Sequence, residues 1–362
     1  MFRINIPAIS LFVAMIAVIA AVLPIVIIAY AAPQIVPEEN LPGSQTLPIK
    51  NNILDQITQP LSSIEYQNCN LSDEQIKLPV FLHSSGETVS MSLHDYLCCV
   101  MMAEVPYTFH EEALKAMAVA ARTYALFKLK NADAYCHDGG AVICTDYSHC
   151  MAYLSYEGAV ERWSEKWVDI VYPKMDAAVS ATDGMVVCYD GELINALFHA
   201  MSCSYTASAK EVWGSDIPYL VSTSSPETDE IDGFTSTVTF SADEFRARLS
   251  GICRFEGNPS GYVGQYWYDA SGRVEKLMIC GTEISGTRVR ELLKLRSCRF
   301  YISYQDGNFV IKTKGYGHGV GLSQYGANVL AQDGCDFKQI LEHYYNGTCV
   351  EALSPKIIAA DN

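Results

Sequence analysis

After Arg3 the chain carries no charge until Glu38, and residues 6–32 are almost continuously apolar. Roughly 25 such residues cross the ~30 Å hydrocarbon core of a bilayer as a helix, whereas a secretory signal has an apolar region of only about 7–15. Residues 1–36 are therefore read as a single-pass anchor in the cell membrane, and Pro24 is tolerated because membrane helices accept such breaks. Arg3 on the short side, with acidic sequence beyond, puts the N-terminus in the cytoplasm and the bulk of the chain outside. The Ala29-Tyr30-Ala31 triplet leaves removal by a signal peptidase as the alternative.

Beyond the anchor, residues 37–77 are rich in Pro, Asn, Gln and Ser with little periodicity, which predicts a juxtamembrane linker. Residues 78–352 contain no second break of that kind and predict one domain, followed by a short tail at 353–362. The apolar share of 49% supplies a substantial core. A formal net charge of −16 argues against a nucleic-acid partner, because a phosphate backbone needs a basic face. The thirteen cysteines are scattered, and the adjacent Cys98 and Cys99 face different directions on a helix. Buried free thiols are expected, with disulfides as the exception.

Local patterns predict an α+β fold, helices first and an antiparallel sheet later. A strand pair over 78–91 turns at 84–87, and Ser92 caps a helix that Pro106 stops after Glu104. Thr108 and Glu111 form a second capping pattern before a helix through Lys130, whose alanines suit close packing. Further helices are expected between Tyr153 and Trp167 and from Tyr172 to Ala181. Asp190-Gly191 marks a hairpin, and strands are expected near 238–240, 273–280, 300–304 and 309–312. Short helices follow Ser241 and Ser285, and another covers 337–345.

Three places hold residues suited to chemistry. Glu104 ends an apolar helix, where the negative helix terminus and desolvation both raise a carboxyl pKa, as a general acid requires. An ordinary exposed helix-end glutamate is the competing reading. His137, Cys144, His149 and Cys150 suit a tetrahedral zinc, with Cys136 able to replace His137. Four protein ligands imply a structural ion, three leave room for a catalytic water, and a Cys144–Cys150 disulfide is the bland alternative. The run Gly315-Tyr316-Gly317-His318-Gly319-Val320-Gly321-Leu322-Ser323-Gln324-Tyr325-Gly326-Ala327 is no phosphate loop, since no Lys-Ser/Thr follows. It reads as a loop exposing His318, Ser323, Gln324 and Tyr325 to a sugar, or else as a buried packing turn. Ser202 and His199 are three apart on an extended segment, which predicts opposite faces and no dyad.

Taken in order, these segments resemble the stage II sporulation protein D and amidase-enhancer family over residues 78–350. The resemblance rests on Ala103-Glu104-Val105-Pro106, on Glu112-Ala113-Leu114-Lys115-Ala116 leading to Ala121-Arg122-Thr123-Tyr124, and on the His/Cys cluster. It continues through Phe198-His199, Val212-Trp213-Gly214, Leu295-Arg296-Ser297, the glycine run and Tyr344-Tyr345-Asn346-Gly347-Thr348. It implies a lytic transglycosylase acting on peptidoglycan glycan strands stripped of stem peptides, in septal wall remodelling and engulfment during sporulation. The implied partners are an amidase, stage II sporulation protein P, and stage II sporulation protein M. Glu104 would be the acid and base, Arg122 would hold it or the substrate carboxylate, and the zinc would be structural.

The family's Ser-Gly-Gly is replaced here by Ser202-Cys203-Ser204 before Tyr205 and Thr206, so the substrate contacts of Ser202 and Thr206 change and Tyr205 gains a place to stack on a sugar. Val105 stands where the family has Met, and the metal loop is one residue longer. Two readings from other classes stand beside this one. One is a non-catalytic glycan-binding amidase enhancer; the other is a hydrolase using the His/Cys cluster directly.

Overall fold

A computed structural model describes residues 70–131, 136 and 140–358. The expected anchor lies outside the described residues, and among those residues no helix is long and apolar enough to cross a membrane. The fold is a mixture of helices and small sheets, as the sequence patterns predict.

The chain opens with an antiparallel hairpin, β1 (Lys77–Leu82) and β2 (Glu87–Ser92), with Leu82 opposite Glu87. Helix α1 (Leu93–Glu104) is capped by Ser92, whose side chain accepts the Asp95 N–H. Its end is set by Pro106, which excludes the preceding Val105 from helical backbone and holds it extended at φ −127° and ψ 144°. Helix α2 (Glu111–Lys130) begins two residues later than the Thr108 pattern predicts, because His110 is the N-cap and its ring Nδ1 accepts the Glu112 N–H. Then come β3 (Ile143–Cys144), α3 (Tyr156–Trp163) and α4 (Glu165–Ala181), the two helices parting at Ser164 with φ 82°. Pro173 inside α4 conceals the helix's first half from a sequence reading that starts at Tyr172.

Strands β4 (Met185–Tyr189) and β5 (Glu192–Leu193) turn through Asp190 and Gly191, both at positive φ as a tight hairpin demands. Strand β5 ends at Leu193, and Phe198–His199 forms a separate β6. Next come β7 (Ser204–Tyr205), α5 (Ala209–Trp213) and β8 (Ser224–Ser225). A β-rich stretch follows, comprising β9 (Thr235–Ser241), α6 (Ala242–Leu249), β10 (Val263–Tyr268), β11 (Val274–Ile279) and β12 (Thr282–Ser285). It continues through α7 (Gly286–Leu293), β13 (Phe300–Gln305) and β14 (Asn308–Lys314). The chain then forms β15 (Leu322–Ser323), α8 (Gln324–Gln332), α9 (Phe337–Tyr344), β16 (Cys349–Ala352) and α10 (Pro355–Ile358).

Two large hydrophobic cores result. In the first, α2 packs against α1, α4, α8, α9 and β4. Ala113, Ala116, Ala118, Ala120, Ala121 and Ala125 are all buried there, so the central helix takes neighbours on every side at close range. The second core lies between the sheets β13-β14-β9 and β10-β11-β12 and the helices α6 and α7. Phe245 stacks on Phe309 in it with ring centroids 3.9 Å apart. Most pairings are antiparallel, but β1 with β3 and β6 with β15 are parallel, which the sequence patterns do not foretell. Leu71 and Asp73, within the stretch read as linker, are buried in the fold. All twelve cysteines of the described residues are free thiols.

Candidate active site

Glu104, the last residue of α1, has a partly exposed side chain. Its Oε1 accepts the Ala152 N–H at 2.7 Å and its Oε2 accepts the Gln324 Nε2–H at 3.0 Å. Burial raises its pKa above the ordinary carboxyl value, while the two donors act in the opposite sense and only partly offset that effect. No cation and no second carboxylate is among the groups that shift it. Such a carboxyl is poised to give a proton and to take one back.

The two donors come from loops that other interactions hold in place. Gln324 opens α8, whose N-cap is Ser323. Parallel pairing of β6 with β15 sets Ser323 beside His199 and brings the glycine run against the 198–202 segment. The glycines permit this approach: at Gly321, φ 72°, a Cβ would lie 2.0 Å from the Leu197 carbonyl oxygen. Beneath them lies Glu227, a buried carboxylate that the sequence reading missed. Its Oε1 accepts the Ser202 N–H at 2.8 Å and the Ser323 hydroxyl, while its Oε2 has no hydrogen-bond partner among the described residues. In a polar Ser-Ser-Pro-Glu-Thr stretch, Glu227 carries no periodic signal that could mark it as buried.

Several expectations need correction. Ser202, Thr206, Ser323 and Gln324 do not face a sugar, since their exposures are 0%, 0%, 0% and 3%. Thr206 Oγ1 instead accepts the Thr223 N–H, and Ser202 Oγ meets His199 Nε2 at 2.7 Å. The last contact overturns the opposite-faces argument, because the strand ends at His199 and the chain bends before Ser202. The other ring nitrogen, Nδ1, lies 3.2 Å from the Val320 carbonyl, which can only accept, so Nε2 accepts the Ser202 proton. Burial holds the His199 pKa well below its usual range.

Arg122 is also corrected. It does not reach Glu104. Its guanidinium is fully buried and donates to both oxygens of Asp73 at 2.7–2.9 Å, to Thr182 Oγ1, and to the Val179 and Met185 carbonyls. A long cation sealed inside a fold must spend every N–H on a partner, and Asp73 supplies the counter-charge.

Of the expected sugar contacts, Tyr205 is 51% exposed, Tyr325 is half-buried with its ring edge-on to Phe109, and His318 is partly exposed. The His318 ring lies 5.4 Å from that of exposed Trp213. Burial, then the nearby Arg273, lowers the His318 pKa to about 4, which keeps the ring neutral at neutral pH. A second aromatic pair, Tyr107 with exposed Trp167, was not foreseen; Tyr107 lies three residues after Glu104, and Trp167 comes to it from α4.

Cys136, Cys144, His149 and Cys150 bring one donor atom each to within 4.8 Å of one another. His149 Nδ1 lies 3.0, 3.6 and 3.3 Å from the sulfurs of Cys136, Cys144 and Cys150. These separations fit one tetrahedral ion with bonds of about 2.0–2.3 Å. His137 lies outside the described residues, and Cys136 stands in the fourth place. The cluster bears on Glu104 directly, because Ala152 follows Cys150 by two residues.

A family model described as "Stage II sporulation protein" matches residues 83–189. Stage II sporulation protein D of Bacillus amyloliquefaciens is 34% identical over 278 residues, covering 76% of this chain and 79% of that protein. The protein of the same name from Bacillus subtilis (strain 168) is 32% identical over 279 residues, covering 77% and 80%. The amidase enhancer of Bacillus subtilis (strain 168) is 27% identical over 301 residues, covering 69% of this chain and 39% of that protein.

Proposed function

The chain belongs to the stage II sporulation protein D family, and from that premise we propose that it is a lytic transglycosylase of peptidoglycan with Glu104 as its acid and base. The observation that carries this reading is a lone carboxyl, desolvated yet partly open, held by donors on both oxygens and by no counter-ion. Glu104 gives its proton to the glycosidic oxygen between N-acetylmuramic acid and N-acetylglucosamine as the C1–O4 bond breaks. The C6 hydroxyl oxygen of the muramic residue then bonds to C1, and its proton passes to Glu104. A 1,6-anhydro ring closes, the carboxyl is restored and no water is consumed, so no second carboxylate is needed, unlike most glycoside hydrolases.

Tyr205, His318 and Tyr325 are the accessible groups for the sugar, with Trp167 and Trp213 as further aromatic faces. The substrate would be strands freed of stem peptides by an amidase, stage II sporulation protein P, with stage II sporulation protein M as a further partner and the N-terminal segment as membrane anchor. Cys136, Cys144, His149 and Cys150 would hold a structural zinc, which supplies a cross-link to the loop that carries Ala152. Four protein donors close such a site and leave no position for an activated water, which disfavours the hydrolase reading. The enhancer reading draws on the relative named amidase enhancer, in which glycan would be bound and not cut.

Incubating the full chain, in detergent, with peptide-free glycan strands separates the three. Anhydro-terminated fragments that vanish in Glu104→Gln are expected. Reducing ends would favour a hydrolase, and binding without cleavage would favour the enhancer.

A further inference from the structure

We propose that His94, Cys98 and Asp176 form a second metal site, for a zinc-like divalent ion, where α1 meets α4. His94 and Cys98 lie one turn apart on α1, so their side chains share a face, and Asp176 projects from the neighbouring α4. His94 Nε2 is 2.8 Å from Asp176 Oδ1 and 3.6 Å from Cys98 Sγ, and that sulfur is 4.0 Å from the same carboxylate oxygen. Three donor atoms of imidazole, thiolate and carboxylate type therefore converge on one point.

Without an ion the Cys98 thiol keeps its own proton near Asp176 Oδ1 and meets Tyr172, whereas an ion with bonds of about 2.0–2.3 Å would displace the thiol proton and draw on all three donors. The set matches the borderline softness of zinc better than that of magnesium or calcium, which take oxygen ligands. The His94 and Asp176 side chains are 15% and 43% exposed, so an ion can arrive from solvent. Among the described residues three His, Cys or Asp donors converge there, which leaves a tetrahedral ion one position for a water or an anionic ligand. In this the site differs from the four-donor cluster at Cys136, and it would tie the helix that ends in Glu104 to α4.

The test uses the full chain in detergent, stripped with a chelator and titrated with Co2+ alone, with bound metal counted by elemental analysis after dialysis. Two ions per chain are expected for the wild type and one for His94→Ala. Because a cavity at α1 could loosen the fold, Asp176→Asn, which keeps the volume at a partly exposed position, provides the second reading: its weaker ion should be held at least ~10-fold less tightly, with an unchanged melting temperature of the metal-free protein. The count is independent of glycan cleavage, so failure here leaves the transglycosylase reading standing. A metal count and affinity unchanged in both variants would overturn the second site and leave a His94–Asp176 hydrogen bond alone.

Discussion

The end of α1 and the middle of α2 each withdraw a charged group from water, and they do so in opposite ways. Around Arg122 every N–H has an acceptor, and Asp73 neutralises the charge with both oxygens. Around Glu104 there is no counter-ion, only two neutral donors and a side chain still partly open. A fully paired charge belongs to the fold, because any change in it leaves its partner stranded. A charge desolvated without a counter-ion can change its protonation state at small cost, which is what acid–base catalysis needs.

Glu104→Gln should break the catalytic half of this contrast most severely. Loss of a general acid and base predicts a ~10²–10⁴-fold fall in cleavage rate, read as anhydro ends per minute. The fold should not suffer. A carboxyl whose folded pKa is raised above its unfolded value adds stability at low pH and loses it as pH rises through the folded pKa. Glu104→Gln should therefore melt at or above the wild-type temperature at neutral pH. A clear drop would show that the carboxylate stabilises the fold.

For Arg122 the expected effect falls on stability. Arg122→Ala leaves Asp73 buried and unpaired, at a cost of about 3–5 kcal/mol, with activity lost through unfolding. The sharper variant replaces both partners, Asp73→Leu with Arg122→Met, since an apolar pair of similar volume is often neutral or better. That double variant should recover folding by thermal melt and cleavage together. A folded but inactive protein would return Arg122 to the chemistry. Next in size, Cys144→Ser should lower metal affinity by more than the roughly 10–100-fold that losing an outer-shell partner costs, because it removes a donor itself. It should also raise the Glu104 pKa by loosening the Ala152 N–H, seen as a shift of the pH–rate profile.

What the sequence reveals and hides follows the same division. Glu104 can be read from one dimension because Pro106 and an apolar helix define its place locally. The hairpin at Asp190-Gly191 and the caps at Ser92, Ser241 and Ser285 are equally local. Asp73, Glu227 and Gln324 are hidden because burial of a polar residue is a property of its distant partner. Asp73 is buried by Arg122, Glu227 by the amide of Ser202 and the hydroxyl of Ser323, and Gln324 by Glu104. Composition reads all three as solvated. The parallel pairing of β6 with β15, which assembles the site, is likewise a contact between segments far apart in the chain.

Gln324 gives the finest probe, because it touches Glu104 and is too buried to touch sugar. Removing one donor to a carboxylate costs about 1.5 kcal/mol, or roughly tenfold. Gln324→Ala should thus lower kcat about tenfold and leave KM unchanged. The donor lowers the Glu104 pKa, so its loss raises that pKa further. In the proposed reaction a proton leaves Glu104 first, so activity should decline as pH rises through that pKa, and the alkaline limb should move to higher pH in the variant. In a Glu104→Gln background the same substitution should add nothing, since residues acting as one unit are not additive. A KM effect, a limb that stays put, or an additive loss would each detach Gln324 from the carboxyl and leave Ala152 as its sole positioning donor.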